Sequence, residues 1–277
     1  MSLQLLFSLT ACQPNPMKSA LHHDPSARNV MHAFHSTDLQ TWEHRGPMVW
    51  GFVSLGMAQD EEGSLLLTGI QEVRPPTWLE ERLGPKVHGF LYDGEELHPR
   101  EWSIQDKESR SYLDPQYFEE QMWYISPQGR SGDPAQHAQS IPIRSSDPGV
   151  ERFSEQGLAD PSPIRVNGKL HVFATYRGNI VHLTGEPLQH HVTINGATVP
   201  FPVEIDGEVM LLGQKLLSGR RSPVISRDIL APLEPGEHSR KPSWKALLPM
   251  DDLRVCASPV LGPDPAGGWI LFCVEEL

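Results

Sequence analysis

The strongest constraint on the fold is a hairpin pattern that recurs along the chain. Each copy joins a short strand to a second, apolar strand, and in four of the five copies the connecting turn contains glycine. The copies begin at Val53, Leu113, Ala159, Pro200 and Ala257. Repeats of this kind are typical of folds built by repetition of one small unit. The sequence therefore predicts five similar units.

Each hairpin is accompanied by two further segments that look like strands. We predict third strands at residues 30–35, 87–92, 140–144, 180–183 and 223–226. More polar fourth strands are predicted at residues 42–45, 98–104, 150–154, 189–194 and 244–248. Units of four antiparallel strands, about 40–60 residues each, are typical of β-propellers. A β-sandwich is the alternative that this pattern leaves open.

The two ends of the chain complement each other. The last unit supplies only its first and second strands before Leu277, whereas residues 30–45 supply a third and a fourth strand without a first. We therefore expect the ends to complete one blade together, which would leave no free edge in the ring. The prediction is an all-β, five-bladed β-propeller of four-stranded antiparallel blades, forming a single domain over residues 30–277.

Composition and motifs exclude several functions. The formal net charge of −12 argues against a nucleic-acid partner, which needs a basic surface. No apolar run approaches the roughly 20 residues of a transmembrane helix. The chain contains no Gly-x-Gly-x-x-Gly, no phosphate loop and no Gly-x-Ser-x-Gly, and its 13 histidines match no structural zinc spacing. We expect a monomer without a cofactor or a bound metal.

Residues 1–29 have no place in the predicted blades. The stretch Leu9-Thr10-Ala11-Cys12 resembles the cleavage box of bacterial lipoproteins, in which the cysteine is acylated and becomes the new N-terminus. The resemblance implies a signal peptide followed by a tether, a lipid anchor at Cys12 and export to the bacterial cell envelope. The stretch lacks a basic beginning and its apolar run is short. Residues 3–9 could instead form an additional strand or a packed arm.

Two further cysteines lie in the last copy of the hairpin. Cys256 and Cys273 are nearly equidistant from the turn, so they should face each other across an antiparallel pair. That placement permits a disulfide, which would suit an exported protein. The alternative is a pair of small buried hydrophobic residues.

Acidic residues open two consecutive copies of the hairpin. The first strand of a propeller blade lines the central channel, so Asp114 and Asp160 should both lie near the axis. In our alignment the other three openings carry Ser54, Phe201 and Ser258. A buried carboxylate is costly unless it has partners or a task. Two interpretations remain, namely a shared catalytic pocket and local caps on backbone amides.

The repeats resemble those of family 43 glycoside hydrolases, the arabinanases and β-xylosidases, and of their invertase-like relatives. The motifs that carry the resemblance are "ADPSPIRVNGKLHVF" at residues 159–173 and "STDLQTW" at residues 36–42. The resemblance implies hydrolysis of a carbohydrate in the central pocket by two or three carboxylates. Asp114 and Asp160 match the Asp-Pro positions. The family's Glu-Gly-Pro motif is missing, and Glu72 is the nearest spare acid by position.

A ligand contact is predicted where the second strand after Asp160 ends. Tyr176 and Arg177 lie there and could reach a bound sugar. Three functions remain open: a glycosidase-like enzyme, a propeller that binds a glycan or a protein without catalysis, and a structural lipoprotein of the cell envelope. A third carboxylate beside the two aspartates would favour the enzyme. Aspartates bonded only to backbone would favour one of the other two.

Overall fold

The computed structural model of the chain describes residues 27–71, 87–102, 112–127, 135–142, 149–248 and 255–277. All regular elements in these residues are β-strands. The first ten are β1 (Asn29–Ser36), β2 (Glu43–Trp50), β3 (Phe52–Gln59), β4 (Leu65–Gln71), β5 (Val87–Tyr92), β6 (Leu97–Trp102), β7 (Leu113–Phe118), β8 (Gln121–Pro127), β9 (Ala135–Pro142) and β10 (Val150–Gln156). The others are β11 (Leu158–Val166), β12 (Lys169–Tyr176), β13 (Asn179–Thr184), β14 (Gln189–Ile194), β15 (Thr198–Ile205), β16 (Glu208–Leu217), β17 (Arg220–Ser226), β18 (Ser239–Arg240), β19 (Lys245–Ala246), β20 (Ala257–Pro263) and β21 (Trp269–Glu276).

These strands form five small sheets, which we number as blades in chain order. Blade 1 contains β3–β6, blade 2 contains β7–β10, and blade 3 contains β11–β14 with β18 at its edge. Blade 4 contains β15, β16, β17 and β19, and blade 5 contains β20, β21, β1 and β2. Neighbouring strands are antiparallel except for β14 and β18. The predicted fold, a five-bladed β-propeller, is confirmed.

The first strands of the five blades form the innermost ring. Each contacts the next in the order β3, β7, β11, β15, β20, and β20 contacts β3 again. We call the face of the ring at which these five strands begin the entry face. The hairpin turns between first and second strands lie on the opposite face, because each first strand crosses the sheet from one face to the other.

Strands from both chain ends close the ring, as the sequence predicted. β1 pairs with β21 over its whole length, from Asn29 opposite Glu276 to Ser36 opposite Trp269. The amide of Leu277 also donates a hydrogen bond to the carbonyl of Arg28, at 2.8 Å. Blade 5 is therefore a complete four-stranded sheet assembled from two distant parts of the sequence.

The outer strand of blade 4 departs from the prediction. The fourth strand expected at residues 244–248 is reduced to β19, because the chain first runs along blade 3 as the parallel strand β18. Arg240 holds this detour in place. Its guanidinium donates to the carbonyl oxygens of Asp228, Ile229, Ala231 and Pro232. These are contacts of an irregular segment, which strand periodicity does not reveal.

The hydrophobic core lies between the blades and not on the axis. One cluster joins blades 2 and 3 through Trp123 and Val172, and another joins blades 3 and 4 through Phe173 and Leu211. The side chain of Trp123 is buried, as expected for a residue that packs between blades. The apolar faces of adjacent sheets thus bury each other. No helix in the described residues is long and apolar enough to cross a membrane.

The predicted disulfide is confirmed. Cys256 and Cys273 are bonded, with their Cα atoms 5.3 Å apart, and both residues are fully buried in blade 5. The bond closes a loop with a sequence separation of 17 residues. A loop of this length lowers the entropy of the unfolded chain enough to stabilise the fold by about 3 kcal/mol.

We expect the double variant Cys256→Ala, Cys273→Ala to lose about 3 kcal/mol of unfolding free energy relative to the oxidised wild type. Urea denaturation of both proteins measures this loss. The reduced wild type is the matched control, because it keeps both side chains without the bond. A double variant as stable as the oxidised protein would contradict the expectation.

Candidate functional site

Every inner strand begins with the same local distortion. One residue near its start has a left-handed backbone, and the pairing with the second strand shifts just after it, as in a β-bulge. The five residues are Ser54 (φ 54°), Asp114 (φ 51°), Asp160 (φ 50°), Val199 (φ 51°) and Ser258 (φ 46°). They therefore occupy equivalent positions, and all five line one cavity or adjoin its lining residues on the axis.

This equivalence corrects our alignment of the fourth copy. We placed Phe201 at the aspartate position, but the left-handed residue of β15 is Val199, followed by Pro200. The pairing shift lies between Thr198 and Phe201, as it does between Ala159 and Ser162 in β11. A displacement of two residues keeps each side chain on the same face of a strand. The alternation of apolar residues could not reveal the error.

Side chains of one blade accept hydrogen bonds from the backbone amides of the left-handed residues in the next blade. The amide of Asp160 donates to Asp114 Oδ2 at 3.1 Å, and the amide of Val199 donates to Thr175 Oγ1 at 2.8 Å. The amide of Ser258 donates to Gln214 Oε1 at 3.1 Å. These hydrogen bonds satisfy backbone groups that the bulges remove from the sheet ladders. They also tie blades 2 to 3, 3 to 4 and 4 to 5 around the axis.

Asp114 and Asp160 are brought together on the axis, where both residues are half-buried and the Asp160 amide donates to Asp114. Burial raises the pKa of Asp114, against hydrogen bonds from the Asp160 amide and the Ser54 hydroxyl that favour its ionised form. Burial and the negative charge of Asp114 raise the pKa of Asp160 to about 7, against a hydrogen bond from Thr175. The two groups interact closely enough to titrate as a pair. The pair therefore holds one proton up to about neutral pH, which the raised pKa of Asp160 places on that residue.

The cavity on the axis is narrow. Its lining includes Ser54, Asp114, Gln116, Asp160, Ser162 and Phe201. The space open to the centre of a water molecule is about 20 Å³, which is room for about one water. A sugar ring would therefore have to bind at the mouth of the cavity on the entry face. Among the described lining residues, Asp114 and Asp160 are the only carboxylates.

Gln116 is a buried polar residue of this cavity that sequence reasoning missed. It follows the bulge of β7, and its Nε2 donates to the carbonyl of Met57 in blade 1 at 2.7 Å. Gly56 makes room for it, because a Cβ there would lie 2.5 Å from Gln116 Oε1. Thr175 and Gln214 were missed as well. Both lie on a second strand, opposite the residue that precedes the left-handed residue of their own blade, and this register becomes visible only when the bulges are aligned.

The other predicted site residues have different placements. Glu72 lies outside the described residues. Tyr176 and Arg177 lie where β12 ends on the entry face, but neither lines the axial cavity. The Tyr176 hydroxyl donates to the Glu155 carboxylate at 2.5 Å, and the Arg177 guanidinium lies 4.9 Å from the centre of the Tyr176 ring. They are off the axis, beside blade 2.

A larger cleft lies on the opposite face of the ring, between blades 4 and 5. It has a volume of about 760 Å³ and includes Leu39, Asp206, Met210, Asp228 and Lys245 in its lining. This volume is within the usual range for small-molecule sites. None of the residues predicted to carry function lies there.

Two pairs of histidines lie within blades, and one residue of each pair, His182 or His32, is buried. His182 Nε2 lies 2.9 Å from His171 Nδ1 in blade 3, and His32 Nδ1 lies 2.9 Å from His44 Nε2 in blade 5. Burial is the main cause that lowers the pKa of His182 to about 3 and that of His32 to about 4. Within the described ranges, no group of three histidine, cysteine or acidic side chains is arranged to hold a metal ion.

No protein-family model and no curated protein matches the sequence. Solved structures do match. A thermostable family-43 glycoside hydrolase is 10% identical, with 81% of this chain and 88% of that chain covered and a TM-score of 0.56. The α-L-arabinofuranosidase of Lactobacillus brevis is 10% identical, with 80% and 82% covered and a TM-score of 0.52. The resemblance to five-bladed glycoside hydrolases is thus confirmed for the fold.

The exo-β-1,3-galactanase of Phanerochaete chrysosporium is a longer protein. It is 11% identical, and the match covers 88% of this chain but 64% of that chain, with a TM-score of 0.49. This chain therefore spans less than two thirds of the galactanase chain. Identities of this size establish a shared architecture, and activity has to be argued from the site itself.

Proposed function

We propose that this protein acts on or binds a carbohydrate at the mouth of the axial cavity, as a glycoside hydrolase-like propeller. The observation that carries the proposal is the pair of carboxyl groups on the axis, one of which has a pKa of about 7. Hydrolysis of a glycosidic bond needs one protonated and one ionised carboxyl group at the same time. The pair meets this need near neutral pH, and the fold is shared with glycoside hydrolases.

In this proposal the two aspartates have different roles. Asp160 holds a proton up to about pH 7 and donates it to the oxygen of the leaving group. Asp114 is then the ionised member of the pair and acts as the base that takes a proton from the attacking water. The cavity beside them has room for about one water molecule, so the sugar approaches from the entry face.

A propeller that binds a glycan or a protein without hydrolysis is the second candidate. Two observations favour it. The described lining of the cavity holds no third carboxylate, and Asp114 accepts a hydrogen bond from a backbone amide. A ligand held at the entry face would then be recognised by the polar groups of the cavity mouth, without bond cleavage.

Aryl furanosides and aryl pyranosides, assayed with wild type, Asp114→Asn and Asp160→Asn, separate the two candidates. If the protein is an enzyme, each variant should lose turnover by about 10²-fold or more, because each removes an ionisable group and nearly keeps the shape. Asp206→Asn is the matched control. Asp206 also has a left-handed backbone (φ 53°) but lies in an exposed turn on the opposite face.

Each outcome decides between the candidates. Turnover by wild type and by the control but not by the axial variants supports the enzyme. Turnover that persists in both axial variants removes these aspartates from the mechanism. Retention on a glycan array without turnover on any substrate supports the binding protein, provided that the axial variants weaken retention.

We also propose that the chain is exported and carries a lipid at Cys12. The disulfide in blade 5 supports export, because such bonds persist mainly in oxidising compartments. Incorporation of labelled palmitate by bacteria that express the full chain tests the anchor. The label should be lost in Cys12→Ser. A wild type that takes up no label would contradict the anchor, and a reduced Cys256–Cys273 pair in cells would remove the support for export.

A further inference from the structure

Five hairpins in the described residues have the same kind of turn. Each turn consists of two residues that both have a left-handed backbone, as in the type I′ turns of tight hairpins. The first residues of these turns are Glu119 (φ 47°), Asn167 (φ 49°), Arg177 (φ 47°), Asp206 (φ 53°) and Ser218 (φ 50°). Short polar side chains suit this position, whereas long side chains are unfavourable there. Glu119 and Arg177 are therefore the two exceptions.

The exception at Glu119 is explained by a partner inside the protein. Arg165 donates two hydrogen bonds to the Glu119 carboxylate, from Nε at 2.6 Å and from Nη2 at 2.7 Å. A bidentate contact between a guanidinium and a carboxylate is stronger than an ordinary hydrogen bond, and it offsets an unfavourable turn residue. The turn of blade 2 thus holds an acid against a cation of blade 3.

Arg177 has no comparable partner in the part of the chain that the structure describes. Its side chain is exposed, and it forms no ion pair with a described carboxylate. The guanidinium lies 4.9 Å from the centre of the Tyr176 ring, and the Tyr176 hydroxyl donates to Glu155 at 2.5 Å. The hydrogen bond holds the ring, and the ring holds the guanidinium by a cation–π contact. The N–H donors of Arg177 are therefore available to a partner from outside.

The turn that contains Arg177 lies on the entry face. It follows the end of β12, two residues after Thr175. Thr175 accepts a hydrogen bond from the amide of Val199 at 2.8 Å, and Val199 lines the axial cavity. Two residues of extended chain span about 7 Å. Arg177 is thus within reach of a saccharide that occupies the mouth of the cavity.

We propose that Arg177 binds the anionic group, a carboxylate or a sulfate, of an acidic saccharide at the mouth of the axial cavity. A guanidinium presents a planar fork of donors that matches two oxygens of such a group. Unfavourable backbone conformations persist at positions that serve a ligand. The net charge of −12 gives the protein no general attraction for anions, so an acidic ligand needs a local cation. This inference rests on the proposed function, because it names the class of carbohydrate for that site.

Matched pairs of saccharides on a glycan array test the anionic group. Oligosaccharides of galacturonic acid are compared with their methyl esters, and sulfated galactan oligosaccharides with their desulfated forms. We expect wild type to retain the charged member of one pair more strongly, and that pair distinguishes a carboxylate from a sulfate. Arg177→Asn should weaken the affinity for the charged member by about 10-fold or more, because a charge-assisted hydrogen bond is lost. Its affinity for the neutral member should not change.

Ser218→Asn is the matched control, because Ser218 has the same turn position in blade 4 and the change removes no cation. Retention by this control should equal that of wild type. Urea denaturation provides a second readout. Arg177→Asn should unfold at the same urea concentration as wild type or at a higher one, since asparagine followed by glycine is favoured in this turn.

Three results would overturn the proposal. Wild type could show no preference for the charged member of either pair, or Arg177→Asn could retain that member as strongly as wild type does. An Arg177→Asn variant that is less stable than wild type would show that the contact with the Tyr176 ring already explains the arginine.

The proposed function can fail separately. Retention of a charged saccharide through Arg177 without turnover on any substrate would keep this inference and remove the enzyme. Turnover of neutral substrates alone, at the same rate in Arg177→Asn, would keep the enzyme and remove this inference.

Discussion

Asp160→Asn should raise the free energy of unfolding at pH 8 by up to about 4 kcal/mol. The folded pKa of Asp160 is about 7, whereas the unfolded carboxyl group has the model value of 3.8. The unfolded chain therefore releases the proton first, and the fold loses stability as the pH rises from 3.8 through 7. Asparagine stays neutral throughout.

Urea denaturation at pH 5 and pH 8 checks this expectation. The gain from Asp160→Asn should be small at pH 5 and large at pH 8, and the control Asp206→Asn should show no such difference. If Asp160 were only a local cap, the variant would instead lose about 1 kcal/mol at both pH values. That result would contradict the burial of an ionisable pair and weaken the proposed site.

The second large effect is acid unfolding driven by His182. Its folded pKa of about 3 lies below the unfolded value of 6.5, so the neutral ring stabilises the fold fully above pH 6.5. That contribution is lost as the pH falls from 6.5 towards 3, at a cost of about 3 kcal/mol by pH 4. The basic groups around the ring, His171, His190, His191 and Arg240, lower its pKa further.

His182→Gln should be less stable than wild type at pH 7, where it lacks the stacking of the imidazole on Phe173. The difference should shrink or reverse by pH 4, since glutamine takes up no proton. Unfolding free energies from pH 4 to pH 7 measure the slope, and His238→Gln at an exposed position is the matched control. Parallel pH profiles for His182→Gln and wild type would rule out this source of acid sensitivity.

These two effects have opposite signs. Wild type gains stability from Asp160 as the pH falls below 7, and it loses stability from His182 and His32 as the pH falls below 6.5. Stability should therefore be greatest in the mildly acidic range. The aspartate pair on the axis therefore costs stability at alkaline pH.

The architecture could be predicted because its signals are local and repeated. A hairpin needs a turn residue and two alternating strands, and five copies made each weak signal stronger. Ring closure followed from counting the strands at the two ends. The detour of β18 could not be predicted, because it depends on Arg240 binding four carbonyl groups of an irregular loop. Such contacts leave no periodic trace in a sequence.

Of the residues in the candidate site, the sequence predicted only the two aspartates. Asp114 and Asp160 stood out because a buried carboxylate is costly unless it has partners or a task. Thr175 did not, since a threonine in a strand is ordinary until its neighbours are known. Val199 was missed for a physical reason as well. A β-branched residue is a poor choice for a left-handed backbone, so the surrounding fold must impose that conformation.

The bulge that recurs on the inner strands does not depend on one type of side chain. The same left-handed backbone forms around serine, aspartate and valine, so this conformation does not require an acid at any one of the five positions. For protein design, Val199 and Ser258 are therefore the positions at which a third carboxylate could be introduced on the same backbone as Asp114 and Asp160.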